Sequence, residues 1–147
     1  MNKFAMNIKK LNDKATVPTY GSDFAAGADL YACEDAPVTI EPGQTKLVHT
    51  GLAMEIPTGL VGLIYARSGL ASKKGLAPAN KVGVIDSDYR GEMRVTLYNT
   101  TDLPYTVKCC DRIAQLMIVP VAHPTLRVVD KLPESARGVG GFGSTGR

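Results

Sequence analysis

Short apolar runs recur along the chain, and Gly- or Pro-bearing polar segments separate them. Phe4, Met6 and Ile8 alternate with Ala5, Asn7 and Lys9, the period-two signature of a half-buried strand. Residues 12–22 read as a loop, with Pro18 and Gly21 inside it. Val38-Thr39-Ile40 reads as a short strand closed by a Glu41-Pro42-Gly43-Gln44 turn. Residues 45–56 read as one further strand bent at Gly51, and Pro57-Thr58-Gly59 turns the chain again. Strands are also expected over 61–67, 105–109, 113–119 and 126–129. Helical character is confined to one short segment that Ser68 caps and Gly75 ends, followed by a loop over 76–81. Many short strands with regular turn signals predict an all-β sandwich or barrel with one short helix.

The stretch Val82-Gly83-Val84-Ile85-Asp86-Ser87-Asp88-Tyr89-Arg90-Gly91-Glu92 starts apolar, breaks into a polar turn, and resumes at Met93-Arg94-Val95-Thr96-Leu97. It predicts a hairpin, with Arg94 roughly opposite Gly83. Asp86 stands where the apolar run stops. A carboxylate at a strand end is rigidly placed and suits general-base work. Asp-Ser-Asp is also ordinary turn chemistry, so this segment alone leaves both readings open.

Composition narrows the class. The chain has 147 residues, enough for one domain with a core of its own. A net charge of +3, with no run of five basic residues, argues against a nucleic-acid coat and fits a single small polyanion such as a nucleoside triphosphate. Cys33, Cys109 and Cys110 have no zinc or disulfide spacing, so reduced, buried thiols are expected, with Cys109 and Cys110 on opposite faces of a strand. His49 and His123 are isolated and read as surface or core residues. No signal peptide or membrane-spanning run is visible, which predicts a soluble cytoplasmic protein with no nucleic-acid or membrane partner.

Three further segments carry polar candidates. Asp29 lies in a small-residue, strand-forming run, where an exposed strand Asp is the plain reading. Arg67 immediately before a helix start offers a guanidinium, a hydroxyl at Ser68 and free backbone N–H groups, a phosphate site in kind, though such caps are common. Residues 137–147 have no hydrophobic periodicity. Gly141-Phe142-Gly143-Ser144-Thr145-Gly146-Arg147 resembles a P-loop superficially but lacks the Lys-Ser/Thr pair and a following helix.

Five ordered stretches together resemble one family, the trimeric dUTPases. They are Ala26-Gly27-Ala28-Asp29-Leu30, Ala66-Arg67-Ser68-Gly69-Leu70-Ala71, the 82–92 stretch, Arg112-Ile113-Ala114-Gln115-Leu116, and residues 137–146. The resemblance implies a jelly-roll-like β-barrel or sandwich, homotrimeric, with residues 1–136 as the domain and 137–147 as a flexible tail closing over the active site. It implies hydrolysis of dUTP to dUMP and pyrophosphate, limiting uracil in DNA and supplying dUMP for dTMP synthesis.

By the same resemblance, Asp86 activates the attacking water, and Mg2+ bound to the triphosphate is met by Asp29 through water. Arg67, Ser68, Gly69 and Gln115 contact phosphates, while Arg112 is structural. Asn80 and the backbone at Gly83, Val84 and Ile85 read uracil, Tyr89 stacks on the deoxyribose, and Arg94 is a further candidate. From the tail, Arg137 meets the terminal phosphates, Phe142 stacks on uracil, and Gly143 and Ser144 lie beside it. Cys110 departs from the family, which has Gly there in a tight turn. The competing readings are a dUTP-sensing regulatory protein and a dCTP deaminase.

Overall fold

The computed structural model describes residues 4–141. Thirteen elements follow in order: β1 (Asn7–Lys10), β2 (Thr19–Tyr20), β3 (Ala28–Tyr31), β4 (Val38–Ile40), β5 (Thr45–His49), β6 (Leu52–Glu55), β7 (Leu60–Tyr65), α1 (Ser68–Lys74), β8 (Leu76–Pro78), β9 (Gly83–Ile85), β10 (Arg94–Asn99), β11 (Tyr105–Val107) and β12 (Arg112–Pro120). The result is an all-β, jelly-roll-like fold with one short helix, as the strand pattern predicts. Among the described residues no helix is long and apolar enough to cross a membrane.

The largest sheet runs β2-β3-β12-β7-β9, and every pairing in it is antiparallel. A three-stranded sheet, β5-β10-β8, and two pairs, β1-β6 and β4-β11, complete the layers. Leu30, Ile40, Leu52, Ile64, Leu97 and Ile113 from these separate sheets meet in one core. Burying side chains of this size contributes about 1.5–3 kcal/mol each, so no disulfide or metal is required to hold the domain.

Turn chemistry places the breaks. Gly51 has φ +66, and a Cβ there would come within 2.9 Å of both Ala15 Cβ and Cys33 Sγ. Only glycine meets both demands. The single strand expected over 45–56 is therefore two, β5 and β6, in different sheets. Gly75 at φ +61 ends α1, its N–H donating to the Leu70 and Ala71 carbonyls. Lys73 and Lys74 in the last turn complement the helix dipole. Arg67, not Ser68, occupies the N-cap, in extended conformation and without a side-chain bond to the helix.

Several other expectations change. Residues 76–78 form a strand rather than a loop, paired with β10. The hairpin predicted across 82–97 is not a ladder: β9 pairs with β7, while β10 pairs with β5 and β8. Arg94 stands opposite His49, not Gly83. The chain crosses from one sheet to another at the Asp86–Tyr89 turn, where the Tyr89 N–H donates to the Asp86 carbonyl at 3.2 Å. No strand forms at 126–129, where Leu126 and Val128 are fully exposed. Cys109 and Cys110 sit in a turn after β11 rather than on a strand.

Candidate active site

The centre of the site is the β3–β12–β7 ribbon. Asp29 on β3 faces Gln115 on β12, and Gln115 faces Tyr65 on β7. Directly opposed residues share a sheet face. Asp29 is not the exposed strand carboxylate of the plain reading but is 7% exposed. Its Oδ1 accepts from Arg67 Nε at 2.7 Å, and its Oδ2 accepts from Arg112 Nη1 at 3.2 Å. A buried carboxylate requires such partners, because an unpaired charge there is costly.

A bulge delivers Arg112. Arg112 pairs with Tyr31 and Ala114 with Leu30, so Ile113 is the extra residue. On a regular strand, Arg112 and Gln115, three positions apart, would face opposite sides. The bulge puts both on the Asp29 face and lets Ile113 and Ala114 both enter the core.

Gln115 in turn lies over Gly27. A Cβ at Gly27 would stand 2.8 Å from Gln115 Oε1 and 3.1 Å from its Cβ. Arg67 follows β7 after Ala66, and Ser68 and Gly69 open α1 exposed to solvent. The first N–H groups of a helix lack intrahelical partners. With no acidic residue in that turn, the surface beside Arg67, Arg112 and Gln115 is a donor-rich place for phosphate oxygens.

A second group of predicted residues gathers elsewhere on the chain. Val84, Ile85, Asp86, Tyr89 and Arg94 line a cavity of about 270 Å³ with Leu47 and Glu92. Asp86 follows β9 directly and its side chain is open to solvent. The Tyr89 hydroxyl donates to the Glu92 carbonyl at 2.9 Å, which folds the ring over Gly91. Gly83 is buried against Ile64, with Asn80 Nδ2 3.6 Å from the position its Cβ would take. Asn80 itself is exposed and does not line the cavity.

Glu92 escaped the sequence reading. Its Oε1 accepts the Gly51 N–H at 2.8 Å and its Oε2 bonds His49 Nδ1 at 2.7 Å, while Glu34 Oε1 accepts the His49 N–H at 2.7 Å. His49 is thus tied to a carboxylate rather than isolated. No local spacing signals this, because the partners come from separate segments: Glu34 after β3, His49 on β5 and Glu92 before β10.

Asp29, Arg67, Gln115 and Arg137 do not line the Asp86 cavity. Arg137 is exposed, with Nε donating to the Gly140 carbonyl at 2.7 Å. Phe142, Gly143 and Ser144 lie outside the described residues.

Among the described residues no three His, Cys, Asp or Glu side chains converge on a metal position. A metal bound mainly by a ligand's own oxygens fits this donor set. Both Asp29 oxygens are already engaged by guanidinium groups, so an outer contact through water is the role left to them.

An antiparallel jelly roll with a guanidinium–carboxylate cluster on its largest sheet, and an acid-tipped turn at the end of β9, the edge strand of that same sheet, offers donors and a carboxylate suited to phosphate esters. Comparison with known proteins specifies which. Residues 13–146 match the dUTPase family model. The deoxyuridine 5'-triphosphate nucleotidohydrolase of Desulfitobacterium hafniense (strain DSM 10664 / DCB-2) is 52% identical, covering 99% of both chains. That of Syntrophotalea carbinolica is 45% identical, also over 99% of each. The dUTPase of Staphylococcus bacteriophage 80alpha with dUPNHPP superposes with a TM-score of 0.91 at 30% identity, covering 99% of this chain and 100% of that one. A mutant dUTPase of phage phi11 of S. aureus, described for its structural Mg(II) ion, superposes with a TM-score of 0.80 at 28% identity, over 87% of this chain and 98% of that one. The chain belongs to the dUTPase family.

Proposed function

We propose that this chain hydrolyses dUTP to dUMP and pyrophosphate. The observation that carries the reading is Asp86, held at the end of β9 and opening into a cavity it shares with Tyr89. There Asp86 orients a water and takes its proton as the water oxygen bonds the α-phosphorus. The bond from that phosphorus to the bridging oxygen breaks, and pyrophosphate leaves. General-base assistance of this kind contributes about 10²–10⁴-fold. Arg67 and Arg137 offset the charge that grows on the leaving group, with Ser68, Gly69 and Gln115 holding its oxygens.

Specificity rests on the same turn. The buried Gly83 and the backbone of Val84 and Ile85, with Asn80 beside them, offer donors and acceptors to the uracil edge. The Tyr89 ring leaves no room for a 2′-hydroxyl, a steric rejection of UTP. Phe142, Gly143 and Ser144 complete the enclosure from the tail. Mg2+ would be held by the triphosphate and, through water, by Asp29, supplying charge neutralisation and orientation.

The phosphate cluster and the Asp86 cavity occupy separate places on one chain, which supports active sites shared across a homotrimer. Arg67, Ser68, Gly69 and Gln115 then come from one subunit, the 80–94 segment from a second and the 137–147 tail from a third. Cytoplasmic dUTP is the expected substrate pool. The sensing and deaminase readings have no observation of their own here. Phage dUTPases, that of 80alpha among them, control transfer of virulence genes.

The test is pyrophosphate release from dUTP, dTTP, dCTP and UTP with magnesium. Strong selectivity for dUTP, lost on chelation, is the expected result. Binding of dUTP without release would move the reading to a sensor, and dUTP formed from dCTP would move it to a deaminase.

A further inference from the structure

The cysteine at 110 places two thiols side by side. Cys109 Sγ and Cys110 Sγ are 3.7 Å apart in the turn between β11 and β12. Cys110 is exposed and Cys109 partly so. Cys110 has φ +68, the left-handed region, and this brings its side chain beside that of Cys109 rather than across a strand from it. The turn is held from three sides. The Asp111 N–H donates to the Lys108 carbonyl at 3.1 Å, the Lys108 N–H donates to Asp111 Oδ2 at 2.8 Å, and the Cys110 N–H donates to the Ala32 carbonyl at 2.8 Å. The pair is preorganised, so little entropy is lost when both sulfurs bind one centre.

Direct oxidation is the poorer use of this geometry. Neighbouring Cα atoms across a trans peptide lie about 3.8 Å apart, short of the roughly 4.4–6.8 Å that a disulfide prefers. A bent dithiolate fits instead. With sulfur bonds of about 2.3 Å, sulfurs 3.7 Å apart subtend roughly 107° at the centre they share. A linear two-coordinate ion would need them roughly 4.6 Å apart by the same bond length. A tetrahedral ion needs further protein ligands, and among the described residues no third metal-ligating side chain joins the pair. The site is complete for a centre that takes two sulfurs and brings its own third substituent.

We propose that Cys109 and Cys110 form a two-point capture site for monosubstituted trivalent arsenicals, R–As(III). With R–As=O, each thiol sulfur forms one bond to arsenic. Both arsenic–oxygen bonds break, and the two thiol protons leave with the oxygen as water. Arsenic stays trivalent, so no oxidant or reductant is involved. Cys33 takes no part: it is buried, and burial pushes its thiol up from the ordinary range.

The full chain is treated with equimolar phenylarsine oxide and followed by intact mass and free-thiol titration. One arsenical per chain is expected, with two thiols consumed. It should be retained in excess 2-mercaptoethanol and released by 2,3-dimercaptopropanol. Cys110→Gly and Cys109→Ala should each weaken retention at least a hundred-fold, the scale of losing a second attachment point. Cys33→Ala should match the parent. Melting curves of each variant confirm that it is folded. Release from the parent by monothiol as readily as from Cys110→Gly would overturn the site, as would no uptake by the folded parent.

Discussion

Arg67 Nε donates to Asp29 Oδ1 at 2.7 Å, joining the strand β3 to the start of α1 across 38 positions of sequence. Arg112 takes the other oxygen. The carboxylate therefore aims the guanidinium of Arg67 as well as any water it holds. Asp29→Asn keeps the shape and removes the charge. Breaking a buried pair costs about 3–5 kcal/mol, and both arginines reach solvent, so a loss of about 1–3 kcal/mol is expected in urea unfolding. Pyrophosphate release should fall as well. Lower stability with unchanged turnover would leave Asp29 a purely structural residue.

Gly27→Ala tests Gln115 without touching it. The new methyl would collide with the Gln115 carboxamide, and the side chain must swing away. Losing one hydrogen bond to a phosphate oxygen, about 1.4 kcal/mol, corresponds to a tenfold rise in KM for dUTP. An unchanged KM in a folded variant would remove Gln115 from phosphate binding.

Asp86 is solvent-facing in the chain, so Asp86→Asn should leave the melting temperature unchanged. Its kcat should fall at least a hundred-fold. Near-normal turnover would assign the base elsewhere.

Residues 121–139 carry no strand and are exposed throughout. None of the described residues of 137–147 belongs to the core, so on deleting the segment sedimentation should show the same assembly as the full chain. Most hydrolysis should disappear. Full activity in the truncated chain would end the role assigned to Arg137 and Phe142.

Cys110 at φ +68 occupies a conformation that costs an L-residue about 1–2 kcal/mol. Glycine relieves this but loses more freedom on folding, about 0.5–1 kcal/mol. Cys110→Gly should stabilise the chain by roughly 0.5–1 kcal/mol, read from the urea midpoint. A lower midpoint would show that the thiol itself contributes packing.

Local chemistry was legible in the residues themselves. Alternation located most strands, and turn residues located Gly51, Gly59 and Gly75, because period and positive φ are properties of a few neighbouring positions. The five family motifs named Asp29, Arg67, Asp86, Gln115 and Arg137 for the same reason, each lying inside a short stretch. The family resemblance marked position 110 as a tight turn that ordinarily takes glycine, and the left-handed φ there agrees, whereas the residues alone read as a strand.

Tertiary structure alone decided what meets what. The 82–97 segment looked like a hairpin because hairpins and sheet-to-sheet crossovers share the same local pattern, and only long-range hydrogen bonds sent β9 to β7 and β10 to β5. The bulge at Ile113, which turns Arg112 toward Asp29, depends on the register against β3. The Glu92–His49 pair and the burial of Asp29 arise between segments far apart in sequence. Strand partners are chosen by the collective burial of the core, a quantity that no single stretch of residues contains.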